Sequence, residues 1–486
     1  MKKVFKRNKI KVVLLLTIML FGITACEEGE LTDINTNPFA ATNIDPSLLF
    51  PQIVVGISQQ RTIELNSINI QAQHWTSGGS AGVFRNPETY IISANTTNNA
   101  WSGWFLTSLR NLLQVRVLTE TNNPGNTHVI AQAKVLEAFT FYNATLVFGS
   151  IPFSEATNVA EFPNPSFDSQ EEVLLGIVER CNEAIAIFNQ PSEGIISDAD
   201  LLFKGDVNSW VRFANTLKLK TLMLIANVNP SSVQSEIQSL LNEPLILDNS
   251  QEASLNYTEE IGNQNPIWRT LDLFSGGTNI FWYSGSTLVD LMNNLNDPRR
   301  ATYFDLNADG QYVGQDQGVF TPTGISRVSL NIIRPDAPDI YASASETNFL
   351  LADAAANGII PGGLAQANTY FQTAVQASLD SYDGVPGAIA DADKTTYLGS
   401  LPNLGTLSQA DALRVIHEQH YISLFSRGIE AWTLWRRTKT PDFQLPTDAA
   451  LNTIIRRYQY PASEVSSNPN APSEVPLEVP MWFENE

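Results

Sequence analysis

The sequence predicts a mostly α-helical scaffold of paired helices, with a long loop-rich face and a few short strands. Three observations carry this. Apolar residues recur at steps of three and four in several separate windows, the spacing that lines one face of a helix. Capping residues precede these windows, and Gly or Pro follows some of them, as at the starts and stops of helices. Between them, residues 74–100, 258–285 and 303–340 are aperiodic and rich in aromatic residues, Gly, Asn and Thr. Unstructured stretches of this length are either functional or disordered, and the aromatic content argues for function.

In chain order, Lys2, Lys3, Lys6, Arg7, Lys9 and Lys11 form a basic start that leads into an apolar run, Val12 to Ile23. The run is too short for a bilayer span of about 20 residues and fits the apolar region of a signal peptide. Cys26 stands where cleavage would occur. The order Ile23-Thr24-Ala25-Cys26 resembles a bacterial lipobox, whose cysteine is acylated and becomes the first mature residue. Residues 1–25 are thus expected to be a signal peptide and residues 26–50, rich in Asn, Asp, Thr and Pro, a lipidated tether. Residues 51–486 form the folded domain. Removing six basic residues takes the formal charge from -21 to -27. Nucleic acid is therefore a poor partner, since phosphate backbones call for a Lys/Arg stripe.

Val135, Phe139, Tyr142 and Leu146 form one helical stripe, and Val173, Ile177, Cys181, Ala184 and Phe188 another. Asp168 or Ser169 can cap the second, with Glu171 and Glu172 in the first turn where the macrodipole favours anions. Because Cys181 sits on an apolar face, no disulfide with an acylated Cys26 is available. Trp210, Phe213, Leu217, Thr221 and Leu224 make a third stripe. Ser345-Glu346 opens a helix that Gly358 closes, and a second helix runs from about Leu364 to Leu379, where Ala367, Ala374 and Ala377 let a neighbour approach as in tetratricopeptide pairs. A last long helix is expected from Ser408 to Arg437, stopped by Pro441.

Two catalytic motifs fail on context. Gly78 to Gly82 spells G-x-S-x-G, but a nucleophile elbow needs a strand before Ser80 and a helix after it, and neither Gln71 to Trp75 nor "VFRNPETY", with its Pro87, is expected to supply one. "HEQHY" (417–421) has His417 and His420 three apart, whereas a zinc pair needs four. "DLNADGQYVGQD" (305–316) places Asp305, Asn307, Asp309, Gln311 and Asp316 in the order of a calcium loop, with Gly310 at its turn position. The same letters suit a polar hairpin turn. No other cofactor is called for.

Six segments in series, "DINTNP" (33–38), "WVRFANTLKLK" (210–220), "LNDPRRATYF" (295–304), "ETNFLLADAAANG" (346–358), "GIEAWTLWRRT" (428–438) and "RRYQYPASEVSSNPN" (456–470), resemble the SusD/RagB nutrient-binding outer-membrane lipoproteins. The resemblance implies four tetratricopeptide-like helix pairs and a loop-rich face. It also implies a SusC-like TonB-dependent transporter as partner, an oligosaccharide or peptide as ligand, and anchoring in outer-membrane lipid through acylated Cys26. Glu27-Glu28-Gly29-Glu30 resembles the acidic tract that directs Bacteroidetes lipoproteins to the cell surface.

Glycan sites join aromatic rings, on which sugar C–H faces stack, with polar neighbours that bond the hydroxyls. Two loops qualify, residues 74–90 and 279–285. Trp75, Trp282 and Tyr283 are the expected platforms, with Arg85 and Asn279 as polar partners, whereas Trp210, Trp432 and Trp435 sit at helical spacing and belong to the core. Loop aromatics also serve as plugs. A surface hydrolase and a protein-binding helical scaffold remain the rivals: an exposed aromatic surface favours the binder, paired carboxylates in a cleft the enzyme, and a bare groove the scaffold.

Overall fold

In the computed structural model, which describes residues 44–77, 82–158 and 161–484 with the side chains of 82–84 excepted, the first helix is α1 (Pro46–Gln59). Proline suits a helix start because its missing N–H is one of the donors unpaired there anyway. Phe50, Ile53, Val54 and Ile57 bury one face of α1. Residues 46–50 therefore belong to a core-packed helix, and the tether expected over 26–50 stops short of Pro46. The signal segment, Cys26 and Ser80 lie outside the described residues, although, contrary to expectation, a two-residue strand (Trp75–Thr76) precedes Ser80 and a short helix (Gly82–Glu88) follows it.

Helices α2 (Arg110–Asn122), α3 (Thr127–Phe148), α4 (Gln170–Phe188) and α5 (Val207–Val228) follow and pack in sequence. From Val135 to Phe148 every residue of α3 is buried. It is the central helix, covered all round, where the sequence suggested a single stripe. Its end is set by Gly149 at φ +80°, a conformation that favours glycine. Ser169, not Asp168, caps α4, and Glu172 returns the bond in a capping box. Asp206 caps α5 through the Ser209 amide. All five stripe residues of α4 are buried, and burial pushes the Cys181 thiol up to about 12.

Helix α6 (Pro266–Ser275) lies inside a stretch expected to be loop, as do short helices at 82–88 and 94–102. Asn265 caps α6, accepting the Ile267 amide at 2.8 Å. Pro266 supplies a first helical residue, so the start signals are local and strong. Helices α7 (Ala344–Ala356) and α8 (Gly363–Asp380) form the anticipated pair, with Ala367 and Ala374 fully buried between helices. The cap of α7 is Ser343 rather than Ser345.

The helix expected over 408–437 is two helices, α9 (Gln409–Ser423) and α10 (Gly428–Thr438). At the break Ser426 adopts φ +64°, and Arg427 turns inward to meet Glu346 at 2.6 Å. A Cβ on Gly428 would lie 2.5 Å from the Asn69 amide nitrogen, so only glycine lets α10 approach there. The break also admits a buried ion cluster: Arg61 pairs with Glu430 at 3.0 Å and Asp339 at 3.4 Å, and Lys220 pairs with Glu346 at 3.0 Å. Burial alone would raise the Glu346 carboxyl, but Arg427 and Lys220 outweigh it and hold it at about 2.

Strand is sparse. β1 (Trp75–Thr76) pairs antiparallel with β3 (Tyr283–Ser284), placing Trp75 opposite Ser284, while β2 (Ala253–Leu255) pairs with β4 (Asp339–Ala342). Among the described residues no helix is long and apolar enough to cross a membrane.

Candidate functional site

The β1–β3 ribbon ties the two aromatic loops together, and it decides which rings face water. Trp75 and Trp282 are each fully buried. Their ring centroids lie 5.3 Å apart, and Trp75 also reaches Phe425 at 6.5 Å. Tyr283 is buried beneath the Arg327 guanidinium at 5.2 Å. These three aromatics, expected as ligand platforms, are placed as plugs that hold the loops to the scaffold.

The polar partners expected beside them are engaged as well. Asn279 is buried: its Oδ1 accepts the Phe281 and Trp282 amides, and its Nδ2 donates to the Trp282 and Val328 carbonyls. The side chain is thus the linchpin of a turn, with its hydrogen-bonding capacity used internally. Arg85 is exposed, and its guanidinium lies 4.1 Å from the Phe320 ring centroid, a cation–π contact. The structure brings Trp75, Asn279, Trp282 and Tyr283 together in the core, while Arg85 stays at the surface.

The exposed aromatic surface stands next to this hub, on α6 and the turn after it. Phe274 is 67% exposed and Leu273 78%, with Trp268 and Phe281 half-buried. Gly276 at φ +60° ends α6 in a Schellman turn, its amide bonding Asp272 and that of Gly277 bonding Leu271. The chain doubles back, and the Phe281 ring meets Phe274 edge-on at 6.2 Å and 87°. The Trp268 indole lies over Gly277, where a Cβ would come within 2.8 Å of it. Arg269 and Asp272 are exposed on the same helix. Trp268, Leu273, Phe274 and Phe281 make this the candidate binding surface.

Sequence reasoning missed Trp268 and Phe274. The signal was there: Ile267 and Leu271, four apart, are the only α6 residues buried in the core, so Trp268, Leu273 and Phe274 are surplus to packing. Within 279–285, Phe281 is half-buried and meets Phe274, while Trp282 beside it is fully buried.

The 305–316 loop is a turn. Asn307 Oδ1 accepts the Asp309 and Gln311 amides at 3.0 and 2.9 Å, Gly310 adopts φ +74°, and Asp316 Oδ1 accepts the Ser286 hydroxyl at 2.6 Å. Among the described residues no group of three or more His, Cys, Asp or Glu is placed to hold a metal. Within the calcium set Asp305, Asn307, Asp309, Gln311 and Asp316, Asn307 bonds its own turn and Asp316 accepts the Ser286 hydroxyl. In the 417–421 motif, His417 Nε2 pairs with Asp353 at 2.8 Å, and the buried His420 ring stacks on Phe349 at 5.0 Å. His417 is thus engaged by Asp353 and His420 is packed in the core.

Comparison with known proteins places these features in context. Residues 38–461 match a family model described as SusD-like, starch-binding and associating with the outer membrane. Solved structures with the same fold include a chitin-binding protein (21% identity, TM-score 0.75, covering 87% of this chain and 94% of that one). A SusD homologue from Bacteroides fragilis aligns at 22% identity and TM-score 0.75, over 91% and 100%. A chitin-binding SusD homologue from Flavobacterium johnsoniae gives 19% and 0.73, over 90% and 98%. No curated protein matches the sequence.

Proposed function

The chain belongs to the SusD-like family of starch-binding, outer-membrane-associated proteins, and from that premise we propose that it binds an oligosaccharide at the cell surface, without chemistry, and delivers it to a SusC-like TonB-dependent transporter. The observation that carries the glycan reading is the ridge formed by Trp268, Phe274 and Phe281, rings of different tilt held by a Schellman turn beside exposed Arg269 and Asp272. Sugar rings present C–H faces to such surfaces and hydroxyls to the charged neighbours. Chitin binding by two proteins of the same fold supports the ligand class. Anchoring is assigned to acylated Cys26 on the lipobox-like order Ile23-Thr24-Ala25-Cys26, and a lipid-modified cysteine with two or more chains suffices.

The test is affinity electrophoresis of the full chain through gels containing soluble polysaccharides, starch and glycol chitin among them. At least one should retard the wild type, and Trp268→Ala with Phe274→Ala should release it. Equal retardation of the variant would move the site off the ridge; free migration of the wild type in every gel would remove the glycan reading.

A further inference from the structure

Beneath the loop face lies a second space, separate from the ridge. It is a cavity of about 140 Å³ between β4, the start of α7, the end of α8 and the break between α9 and α10. That is close to the roughly 150 Å³ cavity that takes up benzene, so a sugar ring placed here would extend its hydroxyls into the open mouth. The rings of Trp75, Tyr382 and Phe425 line it together with Ile267, Ile332 and Ile333. Ser381 and Tyr382, exposed and half-buried, mark its mouth.

Two features give the cavity a chemistry. The first is a set of polar atoms left without a hydrogen bond: Trp75 Nε1, Arg427 Nε and Ser426 Oγ are buried and unpaired among the described residues, and all three residues line this one space. Buried donors are ordinarily satisfied, and three orphans around one void call for a guest rich in acceptor oxygens. The second is charge balance. Each charged residue of the lining already has its counter-ion: Arg334 with Asp336 at 2.8 Å, Asp339 with Arg61 at 3.4 Å, and Arg427 with Glu346 at 2.6 Å. No surplus charge remains to recognise an ion, so the guest is neutral. A neutral ring with apolar faces and acceptor oxygens around its edge fits both features.

We propose that this cavity is a subsite for one neutral hexopyranose, entered past Ser381 and Tyr382 and held by donors from Trp75, Ser426 and Arg427. The helix break then has a use beyond packing, because it is what brings Ser426 and Arg427 to the cavity wall. This reading does not rest on the ridge, which faces solvent and could take a chain longer than one residue.

The probes are D-glucose, D-galactose, D-mannose and N-acetyl-D-glucosamine, each titrated to high millimolar concentration into the full chain in mild detergent. Binding is read as tryptophan fluorescence and as a rise in melting temperature by linkage. At least one sugar should bind saturably at one equivalent. Ser426→Ala should weaken it about 3- to 10-fold, the worth of one hydrogen bond. Ile332→Trp, at a half-buried wall position, should block it, and Trp268→Ala with Phe274→Ala should leave it unchanged. If Ile332→Trp does not fold, Ser426→Ala still decides. If none of the four sugars binds, or binding survives both cavity variants, the space holds water alone and the proposal is overturned. Loss of binding in the ridge variant also overturns it, by placing the monosaccharide on the ridge.

Discussion

Replacing Trp282 with alanine separates the two roles a loop tryptophan can have. The indole is fully buried, with Trp75 at 5.3 Å and Phe281 at 5.6 Å. Truncating a buried Trp costs about 3–5 kcal/mol in transfer and cavity terms, to which the lost ring pair adds about 0.5–1.5 kcal/mol. A total near 4–5 kcal/mol raises the unfolded fraction about a thousandfold. Phe274, being mostly in water, should cost within about 0.5 kcal/mol when truncated. Urea denaturation followed by fluorescence and circular dichroism measures both. Trp282→Ala should lower the midpoint strongly, whereas Phe274→Ala should leave it in place. If Trp282→Ala unfolds at the wild-type midpoint yet loses glycan binding, Trp282 is a ligand platform after all and the assignment of this hub to packing is wrong.

Burial holds both His74 and His420 down to about 3, so the folded state keeps them neutral while the unfolded chain protonates them below about 6.5. Stability from each is complete above that value and lost as pH falls toward 3, by about 1.4 kcal/mol per pH unit. His420→Phe, which can stack on Phe349 in the same place, should flatten the melting-temperature profile below pH 6.5; parallel profiles would refute the neutral-core reading. Burial raises Glu252 to about 7, which works the other way: its contribution is lost as pH rises from about 4.5 to 7, and Glu252→Gln should remove that fall. Adding calcium to chelated protein should not move the melting temperature, because Asn307 already satisfies the 307–311 turn; a rise would assemble the ligand set after all. Cys26→Ala should shift the protein from the membrane to the soluble fraction, and retention in the membrane would defeat the lipid anchor.

The helices were legible because their stripes are local. Val173 to Phe188 and Trp210 to Leu224 are read from spacing alone, and the capping box at Ser169 and Glu172 marks a start within four letters. The break at 424–427 was not legible: no proline marks it, and Ser426 takes its left-handed conformation because Arg427 finds Glu346, a residue far away in the chain. The site failed for a related reason. Whether a loop ring is platform or plug depends on the cross-strand partner, and the pairing of β1 with β3 joins segments about 200 residues apart. Of the rings in 279–285, the one that meets exposed Phe274 is half-buried Phe281, the neighbour of the one expected. Trp268 and Phe274 could have been found by asking which apolar residues of the α6 sequence exceed its narrow Ile267–Leu271 stripe.

Isothermal titration of the full chain with oligosaccharides of whichever polysaccharide retards it in gels tests the ridge most directly. Two stacking platforms, at about 0.5–1.5 kcal/mol each beyond burial, should make the Trp268→Ala, Phe274→Ala double variant about 5- to 150-fold weaker than wild type. Trp282→Phe, which keeps a ring in the core, should bind as the wild type does. An unchanged dissociation constant in the double variant, with affinity lost instead in Trp282→Phe, would contradict the account.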